Sequence, residues 1–290
     1  MAQNAPRPTK AERTATAREK ARQIREEQQR REKRNSLLLR WGIVGAVVAI
    51  IAIVALVVVS NTRGNIPDAG PAPQHGNVNG GFVLTKAGLQ ATEAHTVDVA
   101  KIPAPASTGS DGAIVPAGIK AAAKGQPAQI VVYADMGCPI CKQFEAQYSD
   151  YLQGLVADGK ATVEYRLATF LDRASTTNYS SRAANAVACV ADEKPEAFNA
   201  YLTELFAQQP EEGGAGLDNA TLAKIADSAG APGVSSCIDN GEFRPWAKFT
   251  NQTFNEYQVG GTPTIYVQGK KWDGATQPDF QAFTDAAIKG

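Results

Sequence analysis

Cys138 and Cys141 are separated by Pro139 and Ile140, a C-x-x-C that follows an apolar run at residues 130–133 and opens an amphipathic segment. Two cysteines at this spacing close a small disulfide ring, and the first sits where a helix N-terminus stabilises a thiolate. Pro139 suits the first helical position, where its missing N–H costs no hydrogen bond and its φ is already set, which makes Cys138 the N-cap. A free thiol with a pKa of about 8.5 is only about 3% thiolate at pH 7, whereas helix N-terminal C-x-x-C thiols fall to between about 3.5 and 7. Each pH unit of that fall corresponds to about 1.4 kcal/mol in favour of the thiolate. The reduced form is stabilised, so the disulfide form accepts electrons readily. Cys141, one turn inward on the apolar face, is the shielded resolving partner. The chemistry predicted is attack by a substrate thiolate on the sulfur of Cys138 in a Cys138–Cys141 disulfide. A second substrate cysteine then resolves the mixed disulfide.

Neither a metal nor another cofactor is called for. A zinc site would need two more ligands, but the chain has no second C-x-x-C, and its two histidines, His75 and His95, lie in a linker and near an N-terminal arm. Asp135 and Glu145 flank the motif as proton-relay candidates for Cys141, although carboxylates so placed are more often solvated or helix-dipole partners.

The elements that must position the cysteines are legible on both sides. Residues 130–133 read as a buried strand, and the helix from 139 to about 157 presents Cys141, Phe144, Tyr148, Tyr151, Leu152 and Leu155 at intervals of three and four. Residues 161–167 read as the next strand, with Val163, Tyr165 and Leu167 on one face. Together they form a β-α-β unit, which implies a parallel pair with a right-handed crossover. A long helical section follows at about 179–257, broken at Pro195, at 210–216 and at 230–233. Residues 264–267 and 271–272 read as a hairpin over Gln268, Gly269 and Lys270, and residues 279–288 as a closing helix. The fold class is α/β with a helical insertion between its halves.

The 290-residue chain has a formal net charge of zero that hides an asymmetry. Residues 1–40 carry twelve Lys/Arg against five Glu, about +7, leaving about −7 for the rest. Residues 41–59 are nineteen positions without charge or proline, spanning roughly 28 Å as a helix, close to the thickness of a hydrocarbon core. A secretory signal peptide has a shorter leader and an apolar region of about 7–15 residues, so an uncleaved transmembrane signal anchor at 41–60 is the reading. The positive-inside rule holds the basic tail in the cytoplasm and places the remainder, with all four cysteines, outside a cell membrane crossed once. The tail suits the anionic inner leaflet. Nucleic-acid binding is disfavoured because no aromatic residues interleave its basic ones. Residues 61–111 read as a linker and N-terminal arm, with residues 82–84 as a short strand or a packed arm, and 112–290 as the catalytic domain.

This layout resembles the thioredoxin fold, and more closely the DsbA-like branch of extracytoplasmic thiol-disulfide oxidoreductases. The resemblance rests on the C-P-x-C, on Phe144-Glu145 one turn into the helix, on the insertion, and on Gly261-Thr262-Pro263-Thr264 before a strand. The Tyr179-Ser180-Ser181-Arg182-Ala183-Ala184 run and a second cysteine pair in the insertion resemble membrane-anchored actinobacterial members. It covers about residues 112–290. The resemblance implies a cis Thr262–Pro263 bond against the active-site disulfide, leaving flanking backbone groups free to pair with an extended substrate segment. A trans strand-edge proline is the plainer alternative. Ile140 departs from the strongly oxidising pattern, which has histidine there, so one source of thiolate stabilisation is missing. The Thr262 hydroxyl is placed to compensate through a hydrogen bond to sulfur, and a structural threonine before proline fits equally well.

Cys189 lies among small apolar residues on a helix, and Cys237 follows Ser235 and Ser236 at a loop-to-helix step. Outside the membrane this remaining pair is expected to form a structural disulfide rather than two buried thiols. It would stabilise the insertion by up to about 4 kcal/mol.

Three functions follow. The leading one is a membrane-tethered oxidase that forms disulfides in reduced exported polypeptides and is reoxidised by a membrane quinone-linked partner, as the resemblance implies. A reductase or isomerase on the same scaffold is the second. The third is a non-redox chaperone module that holds extended peptides around Pro263.

Overall fold

The computed structural model describes residues 66–108 and 112–289; the tail and the apolar run at 41–59 lie outside them. Among the described residues no helix is long and apolar enough to cross a membrane. The strands are β1 (Ala69–Pro71), β2 (Gly81–Thr85), β3 (Gly88–Leu89), β4 (Thr96–Asp98), β5 (Ser107–Thr108), β6 (Ile114–Val115), β7 (Ala128–Asp135), β8 (Ala161–Ala168), β9 (Thr264–Val267) and β10 (Lys270–Lys271). The helices are α1 (Pro139–Ala157), α2 (Tyr179–Glu193), α3 (Phe198–Ala207), α4 (Asn219–Ser228), α5 (Ser235–Asn240), α6 (Arg244–Glu256) and α7 (Phe280–Lys289).

Six strands form the main sheet in the order β10-β9-β7-β8-β2-β3. β7 and β8 are parallel, Ala128 opposite Ala161 through Asp135 opposite Ala168, and α1 is their crossover. β9 and β2 close either side antiparallel. β7 is apolar from Ile130 to Ala134 because both faces are covered. Ile130, Val132 and Ala134 pack toward the cluster that holds α1 and the insertion, whereas Val131 and Tyr133 face a second cluster with Phe254, Tyr257 and Tyr266. β8 splits the same way: Val163, Tyr165 and Leu167 join the first cluster. On its other face Glu164 and Arg166 are buried as an ion pair at 2.7 Å, with a second bond from Arg166 to the Tyr133 hydroxyl at 2.9 Å.

Helices α2–α6 occupy residues 179–256, the extent that the sequence assigns to the insertion. α2 is buried on most sides, and its alanines let neighbouring helices approach closely. A disulfide joins Cys189 on α2 to Cys237 on α5 with the Cα atoms 5.9 Å apart.

Two elements differ from the sequence reading. Residues 66–108, assigned there to linker and arm, belong to the same compact unit as the rest of the described chain. Residues 81–84 are a full sheet strand paired with Arg166 through Val163. Phe82 anchors it, with its ring 5.2 Å from Phe198 and 5.7 Å from Trp246. The C-terminal hairpin turns over two residues rather than three: Gln268 and Gly269 both have positive φ, and Lys270 already pairs with Val267. Two left-handed residues match the strand twist of a tight hairpin.

Candidate active site

β7 ends at Asp135, and the loop of Met136 and Gly137 delivers Cys138 to the start of α1. Cys138 has extended backbone angles (φ −86°, ψ 116°) and is the N-cap, with Pro139 inside the first turn. Proline fixes the helix start, so the sulfur faces the unpaired first-turn amides. Both Cys138 and Cys141 are thiols in this structure and both are buried. Pro139 and Ile140 between them are exposed, Ile140 at 55%.

The wall opposite comes from the loop before β9. The Thr262–Pro263 peptide is cis. Cys138 Sγ donates to the Thr262 carbonyl oxygen at 3.3 Å. The Thr262 hydroxyl, buried without a partner of good geometry, stands close enough to both sulfurs to favour their thiolates.

The two thiols are pushed in opposite directions. A hydrogen bond from Cys141 is the main cause lowering Cys138 to about 6; burial opposes it, and Thr262 with the amides of Cys141 and Ile140 adds to it. Burial pushes Cys141 far up, reinforced by the hydrogen bond and the negative charge of Cys138. At neutral pH the pair is therefore one thiolate and one thiol that holds it. The outer sulfur is ready to attack or leave, and the inner one waits protonated.

The loop itself is fastened by residues from the insertion. Asp135 Oδ1 accepts from the Gly137 amide at 2.8 Å and from the Ser180 hydroxyl, and Oδ2 accepts from the Leu171 amide at 3.1 Å. Burial pushes this carboxyl up to about 6, against those three donors. With both oxygens accepting bonds that tie the loop to Ser180 and Leu171, Asp135 is a positioning residue. Gln209, just beyond α3, donates its side-chain amide to the carbonyls of Met136 at 2.7 Å and Cys138 at 3.1 Å. Nothing in the local sequence marks Gln209, whereas Ser180 falls in the Tyr179-Ser180 run already singled out.

Glu145 lies one turn beyond Cys141 on the buried face of α1. The Tyr165 hydroxyl donates to its Oε2 at 3.2 Å, Oε1 has no partner, and burial pushes the carboxyl up to about 7. Cys189 and Cys237 are tied to each other in the core of the insertion.

A sheet with a parallel β-α-β heart, two reactive cysteines at the crossover helix and a cis-proline loop against them define the thioredoxin class. The family model described as Thioredoxin matches residues 120–286, and the chain belongs to that family. Its helical insertion lies between the halves of the sheet, the layout expected from the resemblance to the DsbA-like branch. The reduced disulfide bond oxidoreductase DsbG from Mycobacterium tuberculosis is 31% identical, with 60% of this chain and 90% of that one covered and a TM-score of 0.48. MdbA, a thiol-disulfide oxidoreductase from Actinomyces oris, is 16% identical with 76% and 92% covered and a TM-score of 0.53, a likeness of fold. Among curated proteins, the serine/threonine-protein kinase PknE of M. tuberculosis is 33% identical over 165 residues, 53% of this chain. The chain spans 28% of that relative's length.

Proposed function

We propose that the protein is an extracytoplasmic thiol-disulfide oxidase, held to the membrane by residues 41–60, that forms disulfides in reduced exported polypeptides. The observation that carries this reading is the Cys138–Cys141 pair at the start of α1, with Cys138 as N-cap and its sulfur 3.3 Å from the Thr262 carbonyl of the cis-proline loop; in that setting Cys138 is lowered and Cys141 raised. A stabilised Cys138 thiolate is a good leaving group and lowers the free energy of the reduced pair, which favours electron flow from substrate into the Cys138–Cys141 disulfide. In the cycle, a substrate thiolate attacks Cys138 Sγ and the Cys138–Cys141 bond breaks, its electron pair going to Cys141, which takes up a proton. A second substrate thiolate then attacks the substrate sulfur of the mixed disulfide, and Cys138 leaves as thiolate. The substrate loses two electrons and the pair gains them. A membrane quinone-linked partner takes these electrons and restores the disulfide.

The test is refolding of a reduced, disulfide-containing substrate with this protein as sole oxidant, beside the Cys138→Ser variant. Stoichiometric disulfide formation that the variant abolishes supports an oxidase. Reduction or reshuffling of preformed disulfides without net oxidation would assign it to the reductase or isomerase class. Equal refolding by both proteins would leave a peptide-binding module.

A further inference from the structure

The end of β7 carries a carboxylate that no cation balances. Asp135 is fully buried and forms no ion pair among the described residues. Its oxygens accept from the Gly137 and Leu171 amides and from the Ser180 hydroxyl. Hydrogen bonds to an ionised carboxylate are roughly twice as strong as neutral ones, so each of these three donors carries weight.

Ser180 supplies the one side-chain donor of the three, and it comes from the insertion. It is 1% exposed in the first turn of α2, and its hydroxyl leaves its own helix to reach Asp135. A Cβ on Gly137 would fall 3.0 Å from Ser180 Oγ and 3.4 Å from Asp135 Oδ1, so glycine there keeps the approach of the two open. α2 is buried on most sides and tied to α5 through Cys189 and Cys237, which makes Ser180 a fixed point.

The main chain of Asp135 touches both cysteines. The Cys138 amide donates to the Asp135 carbonyl at 3.0 Å, and the Asp135 amide reaches the Cys141 sulfur, where it favours the thiolate. A displaced Asp135 therefore displaces groups around both sulfurs. The two redox states feel that displacement unequally. In the oxidised form the Cys138–Cys141 bond itself fixes the sulfurs. In the reduced form the Cys138 thiolate is held only by hydrogen bonds from Cys141, Thr262 and the first-turn amides, and these weaken steeply when misaligned.

We propose that Ser180, acting through the Asp135 carboxylate, is a positioning residue that sets the redox equilibrium of the Cys138–Cys141 pair, so that the helical insertion as well as the C-P-x-C determines how readily the pair takes electrons. This rests on the thiol-exchange reading of the preceding section. The hydroxyl fastens the carboxylate, the carboxylate fastens the end of β7, and the end of β7 aligns the groups around the sulfurs. Loosening that chain raises the free energy of the reduced form more than that of the oxidised one.

The test is equilibration of the full chain with reduced and oxidised glutathione, read as the fraction of Cys138–Cys141 dithiol. Two glutathione thiols give up two electrons and two protons and join as a disulfide. The Cys138–Cys141 bond breaks, Cys141 keeps one proton, and the other goes to solvent while Cys138 is a thiolate. Ser180→Ala is expected to lower the equilibrium constant for this reduction about three- to tenfold, a potential about 15–30 mV more negative. The Cys138 thiolate absorbance midpoint rises with it by a few tenths of a pH unit. Asp135→Ala, which leaves Ser180 no carboxylate to bond, lowers the constant by itself. Adding Ser180→Ala to it changes nothing further, because both act through one group. A serine that serves structure alone would lower the unfolding free energy of both redox forms equally and leave the constant where it was. That result overturns the proposal, as does a Ser180→Ala effect that persists in the Asp135→Ala background, and either leaves the oxidoreductase reading standing. A wild-type pair that never exchanges with glutathione at any ratio would remove both.

Discussion

Gln209 donates its side-chain amide to the Cys138 carbonyl at 3.1 Å, so a residue 71 positions away in the insertion fixes the backbone of the sulfur-bearing residue. The same amide holds the Met136 carbonyl, and Gln209 is itself buried. Gln209→Ala leaves both carbonyls without this donor, so a loss of about 1–3 kcal/mol is expected. Denaturant unfolding of the oxidised and reduced forms measures it. Stability within a few tenths of a kcal/mol of wild type would mean that these two bonds do not hold the loop.

Thr262→Val removes the hydroxyl that stands beside both sulfurs. The Cys138 titration is expected to move up by a few tenths of a pH unit to about one unit, followed through thiolate absorbance. An unmoved midpoint would assign the threonine to structure alone.

The lowered Cys138 thiol makes the stability of the reduced form depend on pH. Its folded value lies below its unfolded one, so its contribution is complete above the unfolded value and is lost as pH falls through about 6. Cys141, shifted the other way, stays protonated in both states until pH reaches the ordinary thiol range of about 8.5. Between pH about 5 and 8, the unfolding free energy of the reduced form is expected to rise relative to that of the oxidised form. After allowance for solvent screening at the surface-facing end of the pair, the rise is about 1–2 kcal/mol. Parallel denaturation series of the two forms test this, and a gap constant with pH contradicts it.

Glu145 acts in the opposite sense. Its carboxyl is raised to about 7 in the folded state, so the unfolded chain ionises first and the native state loses stability as pH climbs from about 4.5 to 7. Glu145→Gln removes that cost while leaving an oxygen for the Tyr165 hydroxyl. The variant is expected to match wild type near pH 4 and to exceed it by about 1–3 kcal/mol at pH 8. A proton-relay role adds a further signature, slower resolution of mixed disulfides at neutral pH, read in single-turnover exchange.

What was legible in the sequence was what short-range pattern encodes. The Cys138-Pro139 helix start, the three-and-four spacing from Cys141 to Leu155 and the alternation of Val163, Tyr165 and Leu167 each depend on neighbours a turn or a pleat away, and α1 and β8 fall where those patterns put them. β2 was read only as a short strand or a packed arm because its five residues are flanked by glycine and polar positions. What makes it a sheet strand is pairing with β8, some eighty residues later. Gln209 was invisible for the same reason, since a glutamine before a proline in a loop gives no local sign that two carbonyls from another element await it. The hairpin differed by one residue because Gln268, which takes φ +52°, is not a residue that announces a left-handed turn.

The cis-proline wall also orders events in time. Cys138 and the Thr262 carbonyl that its thiol meets are 124 positions apart, and β9 can join β7 only after the whole insertion has been made. A chain emerging from its N-terminus therefore displays the cysteine pair long before the surface that encloses it exists. Contacts of such long sequence separation form late and slowly. During that interval the two thiols are as accessible as those of any unfolded polypeptide, so, under the oxidase function proposed above, a half-made copy of this protein would belong chemically among the substrates of a finished one.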